Sequence, residues 1–183
     1  MRSTGANWFT ILPAAVVAVA PSAAHATVYM SVEQAQQAMF PGAKFIDRST
    51  AITDPQRKII ARASGTGDVP RTQRLWEARN GSGRAGWLIL DRVIGKHEFI
   101  TYAIALTPDG TVKRVEILEY RETYGGEVRN ARWRQQFVGK HFGSQLKLGG
   151  DIQNISGATL SSRHITDGVR RVLATYQLLL RNE

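Results

Sequence analysis

The chain has 183 residues, 43% hydrophobic and 21% charged, with 24 Lys+Arg against 15 Asp+Glu for a formal charge of +9. These proportions are those of a folded domain and exclude wholesale disorder. There is no cysteine, which excludes disulfides, thiol redox chemistry, cysteine-bound zinc, iron–sulfur clusters, a C-x-x-C-H haem and a lipidated-cysteine anchor.

Met1–Ala26 reads as a cleavable secretory signal. Arg2 supplies the positive end, Trp8–Ala20 the apolar stretch, and Ala24-His25-Ala26 the small-residue site, placing the cut between Ala26 and Thr27. The apolar stretch falls short of the ~20 residues a spanning helix needs and contains Pro13. The expected location is the periplasm, with any cofactor added after export.

Residues 27–84 read as an N-terminal extension of helices and short strands. Ser31 is placed to cap a helix over Val32–Phe40, which Pro41-Gly42 stops. Lys44–Ser49 reads as a short strand. Asp54-Pro55 opens a second helix, to about Ala63, because proline suits a first helical turn. The pattern then changes. Thr72–Arg79, Gly86–Ile94, Glu98–Thr107 and Thr111–Tyr120 are rich in β-branched and aromatic residues and are separated by glycine-bearing turns. Ile100, Tyr102, Ile104 and Leu106 share one face, while Val115 and Ile117 alternate with Arg114 and Glu116. This predicts an antiparallel meander with at least one wet face. Glu122–Arg129 reads as a loop, Asn130–Val138 as a helix, and Gly139–Gly150 as a loop. A final helix runs from about Ser161 to Leu180, with Ile165, Val169, Val172, Leu173, Tyr176 and Leu180 as its apolar stripe. The fold class is α+β: an antiparallel β-meander packed with N- and C-terminal helices.

The segment before the last helix carries the chemistry. In Ile155-Ser156-Gly157-Ala158-Thr159-Leu160-Ser161-Ser162, small residues let another group approach the backbone. Ser161 and Ser162 are placed to cap the helix. The helix start presents unpaired N–H groups and the positive end of the dipole, which suit a phosphate. A threonine hydroxyl there is positioned to become an ester oxygen. On the residues alone, a simple capped helix start explains the same string.

Ser156–Ser162, S-G-A-T-L-S-S, resembles the attachment motif of the FMN-binding domain family, which includes the C subunit of the sodium-translocating NADH:quinone reductase and the G subunit of the Rnf complex. The resemblance implies an FMN-binding domain over residues 85–183 with FMN joined covalently, through its phosphate, to Thr159. Ser156, Gly157, Ala158, Leu160, Ser161 and Ser162 would lie around it. It also implies an FAD-dependent, magnesium-requiring flavin transferase that makes the bond outside the cytoplasm. Glu122-Thr123-Tyr124-Gly125-Gly126-Glu127 resembles a second family motif, E-T-P-G-L-G, so Glu122, Thr123, Gly125 and Gly126 are expected beside the flavin ring. Three departures stand out. Gln153 occupies a position where the family usually has Asp, with Asp151 two residues earlier, Tyr124 replaces proline, and Glu127 replaces the last glycine. Tyr124 is open to either of two roles, stacking on the ring or packing on its loop.

Other residues fit blander roles. Trp133 and Phe137 are expected to pack inward. His97, His141 and His164 form no metal-binding spacing, and Ser162 with His164 lacks a nucleophile elbow; His164 is expected to be exposed. Arg57, Lys58 and Arg62, then Arg129, Arg132, Arg134 and Lys140, then Arg163, Arg170 and Arg171 read as basic helix faces. Those faces could serve solubility, or docking to an acidic redox partner or anionic membrane. Nucleic acid is not an expected partner. The expected function is an exported electron-transfer flavoprotein serving a membrane redox partner rather than a stand-alone enzyme. The alternatives are a non-flavin periplasmic binding module with a basic surface, and a degenerate family member with weak, non-covalent FMN.

Overall fold

The computed structural model describes residues 27–81, 83–122 and 124–182. The signal segment to Ala26 and the candidate Thr123 lie outside the described residues. In chain order the elements are β1 (Thr27–Val28), α1 (Val32–Met39), β2 (Lys44–Asp47), β3 (Thr50–Ala51), α2 (Asp54–Ser64), β4 (Thr72–Asn80), β5 (Gly83–Ile94), β6 (Phe99–Leu106), β7 (Val112–Tyr120), a 3-10 turn (Gly126–Arg129), α3 (Ala131–Gln135) and α4 (Thr159–Thr175), which continues as one π-helical stretch (Tyr176–Leu180).

The meander forms as its turns dictate. Strands β4 to β7 pair antiparallel with their chain neighbours; β1 adds to the β7 edge and β2 to the β4 edge, with β3 also on β4. The sheet therefore runs without a break across residue 84. Both early helices start as their sequences require. Ser31 and Thr53 each form a reciprocal capping box, with Gln34 and Gln56, and α2 ends on Gly65 in the left-handed conformation.

The inner sheet face holds the main core. Ile89, Ile100, Tyr102, Ile104 and Leu106 pack there with Trp133 and Phe137 and with the α4 stripe of Ile165, Val169, Val172, Leu173, Tyr176 and Leu180. The expected inward packing of the two aromatics holds. On the outer face, α1 brings Ala35, Met39 and Phe40 over Leu88, Ala103, Ala105 and Leu118. The expected wet face is therefore wet over one half only.

The basic faces need correction, because several of their members are neutralised. Arg171 is buried and binds Asp91 at 2.6 Å, and Tyr102 Oη donates to the same Asp91 oxygen at 2.5 Å. Arg134 pairs with Glu116, Arg170 with Asp167, and Lys140 with Asp151 at 2.8 Å. Helix periodicity could not show the first and last of these, since their carboxylates come from elements distant in sequence. A related cluster lies on β4, where buried Glu77 is approached by Arg48 at 3.3 Å and by Arg79 and Arg84 at 3.2 Å. Burial pushes the Glu77 carboxyl up, but the three guanidinium groups outweigh it and hold it below the usual value.

Candidate functional site

The site forms where the end of β7, the β5–β6 turn and the start of α4 meet. α4 begins at Thr159, not at the serines after it. Its N-cap is Ala158, which has no side chain to cap with. Ser161 and Ser162 are buried inside the first turns, so the expectation that they cap the helix is corrected. Ser162 Oγ donates to the Ala158 carbonyl at 2.9 Å, and Ser161 Oγ lies 3.2 Å from Tyr120 Oη. The first N–H groups of the helix consequently have no side-chain acceptor from the cap, leaving the positive end of the dipole toward the site.

Thr159 is half-buried, and its Oγ1 accepts from Asn154 Nδ2 at 3.1 Å. Gly157 precedes it with φ +82°, and the space where a Cβ would stand is open. Glycine permits that backbone conformation and leaves the approach to Thr159 clear.

Tyr120, the last residue of β7, fastens the opposing loop. Its Oη donates to the Tyr124 carbonyl at 2.5 Å. A phenol has one proton, so Ser161 Oγ is the donor in their shared bond. Burial pushes the Tyr120 phenol up, though the Ser161 bond opposes this. Gly125 then packs against the helix start with φ +90°. A Cβ there would stand 2.6 Å from Tyr120 Oη and 2.9 Å from Ala158 Cβ. Gly125→Ala is therefore expected to destabilise the fold by about 1–3 kcal/mol, through strain and overpacking. It should also part the loop from α4, read as a lowered urea midpoint together with faster hydrogen exchange at the loop.

The β5–β6 turn is clamped from two sides. Glu122 Oε1 accepts from the backbone N–H of His97 at 2.5 Å and of Glu98 at 2.9 Å. On the other side, His164 Nδ1 lies 2.5 Å from the Ile94 carbonyl and 3.1 Å from that of Gly95. Carbonyls only accept, so His164 carries its proton on Nδ1. His164 is thus a half-buried brace rather than the exposed residue expected. Burial pushes the Glu122 carboxyl up, but the bonds from the backbone of Glu98, His97 and Lys96 win and hold it below its ordinary value. A carboxyl lowered on folding stabilises the fold above its unfolded pKa, and that contribution fades as pH falls through the folded value. Glu122→Gln is expected to cost about 1–2 kcal/mol at neutral pH. It should speed hydrogen exchange at the turn, with the difference from the parent protein shrinking below the carboxylate range.

Between these elements lies a cleft of about 380 Å³, lined by Lys96, His97, Glu122, Tyr124 and Gly157 to Ser161. That size is at the lower end for small-molecule sites. The structure thus brings Glu122 together with Gly157, Ala158, Thr159, Leu160 and Ser161. Ser156 is exposed outside the cleft and Ser162 is buried behind it. Gly125 and Gly126 line a neighbouring hollow with Tyr124, which is 83% exposed. Lys96 and His97 escape sequence reasoning. They lie in what reads only as a turn, more than 60 residues before Thr159, and no local signal marks them.

Asp151 does not stand in for the missing carboxylate at Gln153. It accepts from Lys140 Nζ and from the backbone N–H of Leu146 and Lys147. These bonds hold its carboxyl low against the upward push of burial. Among the described residues no His, Asp and Glu cluster could hold a metal, and no helix is long and apolar enough to cross a membrane.

Comparison with known proteins bears on this cleft directly. Residues 95–174 match the profile of the FMN-binding domain family, a stretch that contains every residue lining the cleft. Over 83 residues the chain is 30% identical to the G subunit of the Na(+)-translocating ferredoxin:NAD(+) oxidoreductase complex of Acetobacterium woodii, covering 40% of each chain. The chain therefore spans about two fifths of that relative's length. Among solved structures, Shewanella oneidensis NqrC aligns over 70% of this chain and 65% of its own, at 21% identity and a TM-score of 0.49.

Proposed function

Because residues 95–174 match the profile of the FMN-binding domain family, we propose that the chain is an exported electron-transfer flavoprotein carrying one FMN on Thr159 through a phosphoester. The observation that carries this reading is the position of Thr159. Its hydroxyl stands at the first residue of α4, on the wall of the cleft and at the place the family motif marks. The donor set suits the group. The free N–H groups of the first helical turn, with Lys96 across the cleft, offer positive potential to a phosphodiester that keeps about one negative charge. Open space beside Gly157 leaves room for the ester.

In maturation, the Thr159 hydroxyl would attack the FMN phosphorus of FAD. The Oγ1–P bond forms, the pyrophosphate bond breaks, AMP departs, and the hydroxyl proton goes to solvent. A separate flavin transferase would supply the magnesium and the geometry. Bound FMN supplies one- or two-electron redox chemistry. The residues of the chain hold and orient it: Glu122 and His164 fix the turn that presents Lys96 and His97, and Tyr120 fixes the loop that presents Tyr124. Gly125 and Gly126 complete the ring-side wall, and residues 85–183 form the flavin-binding unit. Export by the Met1–Ala26 signal would place the protein in the periplasm, where a tether prevents loss of the cofactor. A membrane redox complex would be its electron partner.

The test is co-expression with an FAD-dependent flavin transferase, followed by intact mass measurement. The expected gain is one FMN less one water, with yellow colour that survives denaturation. Colour released on denaturation would make the protein a non-covalent family member. A colourless protein of unmodified mass would favour the basic binding module.

A further inference from the structure

The uncovered half of the outer sheet face opens into a groove of about 850 Å³, lined in part by Arg74, Leu90, Arg92, Ile94 and Phe99. Ile94 and Phe99 are cross-strand partners at its end, 50% and 40% exposed. The Arg92 guanidinium lies 4.5 Å from the centre of the Phe99 ring, and that of Arg74 lies 5.3 Å from the Trp76 ring. Neither arginine forms a salt bridge among the described residues. Two of the carboxylates at the groove are already committed: Glu119 to Arg121 at 2.7 Å, and Asp91 to Arg171. Asp68 lies 4.0 Å from Arg171.

We propose that this half-face docks an acidic surface of a protein electron carrier. Three observations converge. The two guanidinium groups are pre-oriented on aromatic rings, Arg74 with the carboxylates of Glu33 and Asp47 within reach of its charge and Arg92 outside any ion pair among the described residues, which lowers the entropy lost when a partner carboxylate engages them. Arg92 adjoins the exposed apolar pair of Ile94 and Phe99, with Arg74 opposite Leu90 further along the groove, and arginine beside aromatic side chains is the composition of interface centres. Finally, Ile94 and Phe99 are joined by the Gly95–Glu98 turn, whose Lys96 and His97 line the cleft of Thr159. A carrier seated in the groove is therefore one turn away from the cofactor site. A bilayer surface is flat and does not fill a groove, whereas projecting side chains of a protein do.

The redox meaning of this surface rests on the proposed flavin, but its binding does not, so the test reads binding first. Oxidised flavodoxin, a small acidic carrier, is titrated calorimetrically into the full mature chain at low ionic strength. Arg74→Glu with Arg92→Glu is expected to weaken binding at least about tenfold and to flatten its salt dependence. Lys58→Glu with Arg62→Glu, an equal charge change on exposed α2 positions, is expected to change it less than about twofold. Should the first pair fail to fold by circular dichroism, Arg74→Gln with Arg92→Gln is read instead, with about a threefold loss expected. Equal losses from both pairs, no binding by the parent chain, or a loss seen only with phosphatidylglycerol vesicles would each overturn the proposal. Intact mass of the same samples, co-expressed with the flavin transferase, separates the two readings: binding lost in the arginine pair while the parent chain carries no flavin keeps the docking face and removes the flavoprotein.

Discussion

Thr159→Ala is expected to yield a colourless protein of unmodified mass under conditions where the parent chain is fully flavinylated. The substitution removes one hydroxyl and its bond from Asn154. Alanine is the better helix former, so fold stability should change by no more than about 0.5 kcal/mol. The loss is therefore chemical, not structural, and an unchanged urea midpoint would show it. Thr159→Ser restores an oxygen at the same position and should restore the mass gain, although a freer rotamer is expected to slow the modification. Covalent flavin on the alanine variant would move the attachment elsewhere and remove the central assignment.

The second large effect concerns stability. Arg171 sits on α4 with its guanidinium buried between Asp91 at 2.6 Å and the Asp68 carbonyl at 2.5 Å. Burial pushes the Arg171 pKa down, but the Asp91 carboxylate outweighs it and the net shift is upward. Burial, reinforced by Asp91, pushes the Tyr102 phenol well up. Arg171→Ala strands the Asp91 carboxylate in the core and is expected to cost about 3–5 kcal/mol. Against a total of about 5–15 kcal/mol for an ordinary domain, that is a large share. The double variant Arg171→Met with Asp91→Leu, made in a Tyr102→Phe background so that no buried hydroxyl loses its acceptor, removes both charges and should recover most of the loss, because apolar replacement of a complete buried cluster is nearly neutral. Denaturant midpoints of the two variants decide the matter. A double variant as unstable as the single one would mean that packing around Arg171, not the stranded charge, dominates.

Much of the fold is written locally. Ser31 and Asp54-Pro55 announce their helices, and the four meander strands lie within a residue or two of their sequence limits, apart from an earlier start to β5 at Gly83. These features depend on turn chemistry and on alternation between neighbours. Asn130–Val138 is less legible. Only Ala131–Gln135 is helical, although the i, i+4 pairing of Trp133 and Phe137 still reports an inward face. Sequence misplaces the start of α4 because serines at a helix entry suggest caps, whereas burial beneath Tyr120 turns Ser161 into a packing residue. The functional site divides in the same way. The Thr159 string is contiguous and visible. The turn bearing Lys96 and His97 reaches the cleft only through Glu122 and His164, and such long-range bracing leaves no trace in residue spacing.

The long C-terminal helix has one more consequence. Its 17 residues span about 25 Å, from the cleft to the buried Arg171 pair and beyond. Anchored at both ends, it behaves as a beam and not as a hinge. On the proposed reading, a redox group esterified to Thr159 at the tip of that beam would swivel only about the bonds of a short linkage. It would not sweep between donor and acceptor as cargo on a swinging arm does. The protein would then act as a fixed stop on the electron route, and turnover would be set by how quickly mobile carriers arrive and leave.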